Sequence, residues 1–442
     1  MKHIKLSLWG FLLLLAGLWW LVDLRVAMPN TFGTWRNSLI YFTGIMGLGV
    51  MSVALMLAVR PIALEPFFGG LDKMYRLHKW LGIAGLVMVV LHWTGTQLPG
   101  WLTGLGLMAR HAQERMPEPN SPVFQFFQSL RDAAEGIGEW AFYAAVVLMV
   151  LALVKWFPYR LFFKTHRLLA VAYLFLVFHS VVLMKFSYWG ELIGPLMALL
   201  VLGGSVSAVI ILLRRVGLSR RAVGVVRKVT YHKEVRTLEV AVQLKGRWAG
   251  HDSGQFVFVT FDTREGAHPF TISSAWSGDG HMVFLIKELG DYTRVLPASL
   301  KVGDPVKVEG PYGQFNFNSE CARQIWVGGG IGITPFVARL EELKVQPYDQ
   351  PVDLFYATAS PYNLAIHKLR RLAREAGVVL HVLVEAQDGR LTARRICEAV
   401  PDWASGDIWF CGPMAFGHAL QADFAARGLA SKNFHEELFD MR

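Results

Sequence analysis

Six apolar stretches of about twenty residues, all ending by Leu213, set the first limit on what this chain folds into. They run roughly Ile4–Leu24, Ser38–Val59, Tyr75–Gln97, Ile137–Trp156, Thr165–Lys185 and Glu191–Leu213. Each is close to the about 20 residues that cross a hydrocarbon core as a helix. Nothing comparable follows Arg214, where charged helices, glycine turns and alternating strands take over, so a membrane half precedes a soluble half. Lys2 and Lys5 ahead of the first stretch resemble a signal peptide, but the apolar region is too long and no small-x-small cleavage site follows. An uncleaved first helix is expected. The segment 100–136, rich in proline and polar residues, reads as an outer loop.

The net charge of +10 raises the question of nucleic acid. The basic residues, however, gather at the ends of the apolar runs: Arg60, Lys73, Arg76 and Lys79; Lys155, Arg160, Lys164 and Arg167; Arg214, Arg215, Arg220 and Arg221. That is the positive-inside pattern, and it places the N-terminus and the soluble half in the cytoplasm. The soluble half has no basic stripe with interleaved aromatics, so nucleic acid is not an expected partner. The cysteines, Cys321, Cys397 and Cys411, form no CxxC pair and no disulfide framework, and are too few for a four-cysteine iron–sulfur cluster.

Within this apolar half stand four histidines that need an explanation, because a polar ring in hydrocarbon is costly. His78 and His92 lie on the third stretch, His166 and His179 on the fifth. Both stretches start from the cytoplasmic side, so His78 shares a level with His166, and His92 with His179, the levels being roughly 20 Å apart at 1.5 Å per residue. The fourteen-residue step on the third stretch returns to nearly the same helix face. The thirteen-residue step on the fifth leaves its two rings about 140° apart in an ideal helix. A hydrogen bond to a neighbouring carbonyl would satisfy any one of these rings. Zinc would need its ligands at one centre, which two separated levels deny. Two stacked haems, each offering two opposed axial positions to facing helices, account for all four. Gly82 and Gly85 would let a porphyrin approach the third helix.

In the soluble half, VGVVRKVTYH, RTLEVAVQL, GQFVFVTF, HMVFLIK and DPVKVEGPYG alternate as strands of an antiparallel barrel. IWVGGGIGITPFVARLEEL then runs strand, glycine turn, helix, and opens a βα pattern continued by VDLFYATAS, VVLHVLVEA and DIWFCGP. Glycines at such a turn let backbone approach a phosphate whose charge meets the helix N-terminus.

The histidine pairs at fourteen and thirteen resemble the NADPH oxidase and ferric reductase superfamily, whose six-helix domain carries two haems, and the soluble motifs resemble ferredoxin–NADP reductase-type flavoproteins. The resemblance covers nearly the whole chain and implies a multidomain membrane protein: a six-helix transmembrane di-haem domain over 1–215, an antiparallel β-barrel FAD domain over 220–319 and an α/β NAD(P)-binding domain over 323–442. It implies His78, His92, His166 and His179 as ligands of two b-type haems. In HPFT, His268, Pro269 and Phe270 would flank the flavin of FAD, with the Thr271 hydroxyl directed at N5. Gly290, Tyr292 and Thr293 would meet its diphosphate. Gly328, Gly329, Gly330, Gly332, Thr334 and Pro335 would hold the dinucleotide, with Cys411, Gly412 and Pro413 under the nicotinamide. Glu437 and Phe439 match the acidic residue and flavin-covering aromatic near the family's C-terminus, although three residues follow Phe439 here and Phe434 is a rival ring. YATAS with Lys368, Arg370 and Arg371 favours NADPH over NADH.

The resemblance also implies an enzyme of a bacterial inner membrane that takes electrons from cytoplasmic NAD(P)H to an outer acceptor, dioxygen or a ferric chelate. Relatives that make superoxide can carry a further histidine where this chain has Thr96. The alternative is a haem conduit feeding a periplasmic partner reductase; a protein partner is compatible with the sequence but not required by it.

Overall fold

The computed structural model describes residues 2–24, 31–108, 121–154 and 156–437. The chain divides into two compact units: residues up to Leu64 with Lys73–Val216, and Glu65–Asp72 with the chain from Gly217 onward.

The first unit is helical. Its long elements are α1 (Lys2–Val22), α2 (Phe32–Ala58), α4 (Leu71–Gly104), α6 (Arg131–Leu153), α7 (Tyr159–Leu183) and α8 (Ile193–Leu212). All six are long and apolar enough to cross a membrane, as the hydropathy pattern led one to expect. The short α3 (Glu65–Phe68) and α5 (Pro122–Ser129) lie between them in sequence. Thr31 caps α2 by accepting the Thr34 amide, so the chain enters that helix with a donor already satisfied. The interior gathers Leu15, Met46, Tyr173, Tyr188, Met197 and Leu200. Several polar groups inside it are paired, as a low-dielectric medium favours. The Ser52 and Tyr173 hydroxyls meet at 2.7 Å. Asp23, just beyond α1, accepts from Lys185, Tyr188 and Ser38, each at 2.8 Å, and so ties three parts of the chain together.

The second unit holds two sheets. The first is antiparallel, with strands β1 (Arg221–His232), β2 (Thr237–Lys245), β3 (Phe256–Thr260), β4 (His268–Thr271), β5 (His281–Lys287) and β6 (Pro305–Tyr312) in the order β4-β3-β6-β1-β2-β5. The expected barrel is not closed. No ladder joins its end strands among the described residues: the four-residue β4 ends before the isolated bridge from Ile272 to Phe284 of β5. α9 (Asp291–Ser299) follows β5, and its Leu296 joins the core of Val226, Val240, Val257, Phe284 and Val308.

The second sheet is parallel: β7 (Arg323–Gly329), β8 (Val352–Thr358), β9 (Val379–Val384), β10 (Gly406–Cys411) and β11 (Phe434–Glu436), in the order β11-β10-β7-β8-β9. Helices α10 (Thr334–Leu343), α11 (Asn363–Glu375), α12 (Glu385–Asp388), α13 (Ala393–Ala399) and α14 (Met414–Ala426) connect them. One core packs Trp326, Phe336 and Leu369, and a second packs Val327, Ile396 and Phe424, so helices cover both faces of the sheet. The order reverses at β7, with β8 on one side and β10 on the other. Such a switch point leaves a crevice at the strands' carboxyl ends.

Candidate functional site

In the helical unit the four histidines meet in the two pairs their levels require. The rings of His78 and His166 have centroids 5.9 Å apart, and those of His92 and His179 are 6.2 Å apart. Two imidazole nitrogens bound to one iron at about 2 Å each, with roughly 1 Å from nitrogen to ring centre on either side, put the centroids roughly 6 Å apart. Both pairs fit bis-histidine ligation of a haem. The offset of the thirteen-residue step therefore does not keep either α7 histidine from its partner on α4.

The second nitrogens strengthen the fit. Nδ1 of His78 lies 2.9 Å from the Ala54 carbonyl, Nδ1 of His92 2.9 Å from Ile40, and Nδ1 of His179 2.9 Å from Ala134. A ring that donates from Nδ1 to a carbonyl presents Nε2 with its lone pair to a metal, which is how protein ligands to iron and zinc are oriented. His166 differs: its Nδ1 is buried with no hydrogen-bond partner, and its ring stacks on Phe162 at 5.0 Å.

Two glycines that sequence reasoning missed make room for these rings. A Cβ on Gly138 would stand 2.5 Å from Cγ and 2.6 Å from Cε1 of His179, so the imidazole lies directly on the α6 backbone. Gly44 on α2 plays a milder version of this part, with His92 Cε1 at 3.3 Å. Each glycine sits four residues after the carbonyl that its histidine engages, Gly138 after Ala134 and Gly44 after Ile40. Gly85, by contrast, packs against Val50 and Met51, while a Cβ on Gly82 would meet nothing within 4 Å. Of the two glycines expected to face a porphyrin, only Gly82 is free of helix packing.

Arg36 on α2 supports α4 itself. Pro99 inside α4 has no N–H, so the Gly95 carbonyl lacks its helical donor. Arg36 Nε donates to that carbonyl at 2.8 Å and Nη2 to the Thr96 carbonyl at 3.2 Å. The guanidinium thus repairs the helix one turn beyond His92.

In the second unit, HPFT forms β4, paired with β3. The His268 ring stacks on Tyr292 at 4.2 Å, and Phe270 lies against Phe261 and Phe284. Burial pushes His268 down to about 4, so it is a neutral ring at physiological pH. Burial likewise raises Tyr292, with Asp262 adding to the effect. Pro269 stands between them in β4, and Thr271 is buried at its end. At the α9 start, the Thr293 hydroxyl accepts from the Leu289 and Gly290 amides at 3.0 Å each. Those two amides close the helix start itself, so a diphosphate there would rely on the remaining amides of the first turn.

The glycine turn after β7 divides its labour. Gly330, at φ +57°, has the left-handed backbone that glycine tolerates best. Gly332 would place a Cβ 2.7 Å from the Gly412 amide, and Gly329 one 3.0 Å from Pro413, so these two let the β7 and β10 turns cross in contact. Gly328 packs beneath Ile333, and the Thr334 hydroxyl donates to the Ile331 carbonyl at 2.6 Å, with Pro335 in the first turn of α10. Cys411 ends β10 fully buried opposite Gly328, its thiol held well above the usual range by burial and by Glu437. Glu437 is itself buried near Gly313. Phe439 lies outside the described residues. Phe434 is a β11 core residue paired with Ile408, which removes it as a covering ring. A cleft of about 940 Å³ opens along the turn, lined from the antiparallel sheet by His232, Glu239 and Lys287 and from the parallel sheet by Gly330, Thr358 and Pro413.

A membrane bundle with two facing histidine pairs, joined to a flavoprotein-like pair of sheets, defines the class: a transmembrane component fused to a flavin reductase module. Residues 43–177 match the family described as ferric reductase like transmembrane component, and residues 224–316 match the FAD-binding domain family. Over those residues the chain is similar to the ferric reductase transmembrane component and to FAD-binding modules, a combination consistent with the superfamily of NADPH oxidases and ferric reductases.

Among curated relatives, the toluate 1,2-dioxygenase electron transfer component of Pseudomonas putida is 28% identical over 195 residues, 42% of this chain and 58% of that protein. Flavohemoprotein B of Dictyostelium discoideum is 26% identical over 188 residues, 38% of this chain and 44% of that one. The chain spans about half the length of these relatives. Among solved structures, a flavohemoglobin from Malassezia yamatoensis with bound FAD and heme aligns over 89% of this chain and 94% of its own, with 16% identity and a TM-score of 0.48.

Proposed function

We propose that this chain carries electrons across a bacterial inner membrane, from cytoplasmic NAD(P)H by way of FAD and two b-type haems to an outer acceptor, dioxygen or a ferric chelate. The observation that carries the reading is the pair of facing imidazoles at two levels, 5.9 and 6.2 Å apart between ring centres. When bound, FAD accepts a hydride and gives up its two electrons singly, and haem iron passes them on one at a time.

The residues divide the remaining work. His78 and His166 would hold the inner haem, and His92 and His179 the outer one. The carbonyls of Ala54, Ile40 and Ala134 hold three of those rings by Nδ1, which would leave Nε2 available to iron. His268, kept neutral, adds no charge beside the flavin, and with Pro269, Phe270 and Tyr292 it would form an apolar wall that excludes water. Thr271 would offer its hydroxyl to the ring, while Gly290 and Thr293 would stand near the diphosphate. Cys411, held as the neutral thiol, would lie under the nicotinamide, with Gly412 and Pro413 keeping the backbone close. Glu437 beside it would be the acidic residue that the family carries near its C-terminus.

Anaerobic addition of NADH or NADPH to the purified full-length protein tests this. Both flavin and haem absorbance should become reduced without any partner protein. Haem that dithionite reduces but neither nucleotide can reduce would sink the route. Separate additions of dioxygen and ferric citrate would then identify the acceptor by the faster reoxidation.

A further inference from the structure

The strand order gives a bound dinucleotide a direction. β7, which ends in the glycine turn, has β10 on one side and β8 then β9 on the other. If the nicotinamide lies over Cys411 at the end of β10, the adenosine half lies over the ends of β8 and β9, roughly 5 and 10 Å from the turn at about 4.8 Å per strand. The register pairs Thr358 with Val384, so those two ends are level. The next residue after β9 is Glu385, which lines the cleft together with Thr358, Ser360 and Arg390.

We infer that Glu385 reads the adenosine ribose as an unphosphorylated diol, making NADH the preferred electron donor. The inference rests on the NAD(P)H-dependent reading above and names which dinucleotide serves it. Glu385 Oε1 accepts from Arg390 Nε at 2.7 Å. A carboxylate has about four acceptor sites, so one guanidinium bond leaves capacity for a ribose hydroxyl. A carboxylate at a strand end beside the ribose accepts the 2′-OH, and it repels a 2′-phosphate.

Of the three cations that the sequence offered to such a phosphate, Arg370 is exposed on α11 and the other two face carboxylates. Lys368 Nζ lies 4.0 Å from Glu239 Oε2, and Arg371 Nε 3.9 Å from Glu375. The β8 end itself supplies hydroxyls without charge, and Thr358 Oγ1 already accepts the Ser360 amide at 3.2 Å. Another cation of the cleft, Lys287, belongs to the other end: its Nζ stands 3.9 Å from where a Cβ of Gly330 would be. At the ribose end Lys368 and Arg390 each face a carboxylate, Glu239 and Glu385.

The test titrates full-length, FAD-loaded protein with ADP-ribose and with 2′-phospho-ADP-ribose by calorimetry, and follows anaerobic flavin bleaching by NADH and NADPH. ADP-ribose should bind at least about tenfold more tightly, and NADH should bleach flavin at correspondingly lower concentration. Glu385→Ser should narrow the gap, mainly by strengthening the phosphorylated ligand, and Arg390→Ala should leave the order of affinities unchanged. Equal or tighter binding of the phosphorylated ligand overturns the inference, and so does an Arg390→Ala variant that weakens that ligand alone. Should ADP-ribose bind in the expected order while neither dinucleotide bleaches flavin, the electron-transfer reading fails and the ribose assignment stands.

Discussion

Replacing Gly138 with alanine tests the proposed outer haem site without touching a proposed ligand. The new methyl would sit 2.5 Å from Cγ of His179, where ordinary contact begins near 3.4 Å, so the ring must retreat by roughly 1 Å. Its backbone neighbours on α6 cannot yield, because they belong to a continuous helix. An imidazole nitrogen moved by roughly 1 Å from a metal bond of about 2 Å is no longer a ligand. The 2.9 Å bond from Nδ1 to the Ala134 carbonyl is strained by the same movement. Alanine is a better helix former than glycine by about 1 kcal/mol, so α6 itself gains. The expected result is a fall from two haems per FAD to about one, read by pyridine haemochrome against released flavin, with the His78/His166 haem as internal control. Gly44→Ala provides the contrast. Its contact at 3.3 Å asks His92 for only a few tenths of an ångström, and both haems should remain. A Gly138→Ala protein that keeps two haems with an unshifted low-spin spectrum would refute the packing argument.

Two further outcomes follow from buried groups in the second unit. Glu65 Oε1 accepts both the Gly313 amide at 2.6 Å and the Leu71 amide at 3.2 Å, and burial raises its carboxyl above the ordinary range. Glu65→Gln keeps the one oxygen that both amides use and should match wild type at low pH. It should surpass wild type as pH rises through the raised carboxyl value, since a raised carboxyl stabilises the fold below about 4.5 and loses that contribution on ionising. Glu65→Leu strands both amides at roughly 1–3 kcal/mol each, and differential scanning fluorimetry across pH 4.5 to 8 separates the two variants. His268 works in the opposite direction: its value falls from 6.5 to about 4, so its neutral burial stabilises the fold above 6.5 and is lost as pH drops through about 4. His268→Phe should flatten the decline in melting temperature over that interval, and an unchanged slope would remove His268 from the account.

How far the sequence announced this arrangement depends on the range of the interactions involved. The histidine levels follow from helix rise alone, so both pairs were legible before any packing was known. The room for the rings was not. Gly44 and Gly138 matter because each lies four residues after a carbonyl that a histidine from a different helix engages, and no periodicity within one helix carries that information. The place of Arg36 was hidden for a similar reason, since its partner carbonyl is freed by Pro99, more than sixty positions away. The glycine turn after β7 was readable as a turn, but Gly329 and Gly332 serve the crossing with the β10 turn, which depends on the strand order. The barrel was overestimated because alternation reports strands and not their length, and β4 has only four residues with which to complete a circuit.

The short stretch Glu65–Asp72, held between two membrane helices in sequence yet counted with the sheets, has a consequence for how this molecule can be taken apart. No single scission near residue 217 liberates an intact reductase, because a fragment of its wall stays behind on the severed piece. A recombinant C-terminal half would bare the Gly313 amide to solvent and lack the buried Glu65, Phe68 and Leu71 side chains. Restoring it would require a synthetic peptide of that stretch, supplied in trans.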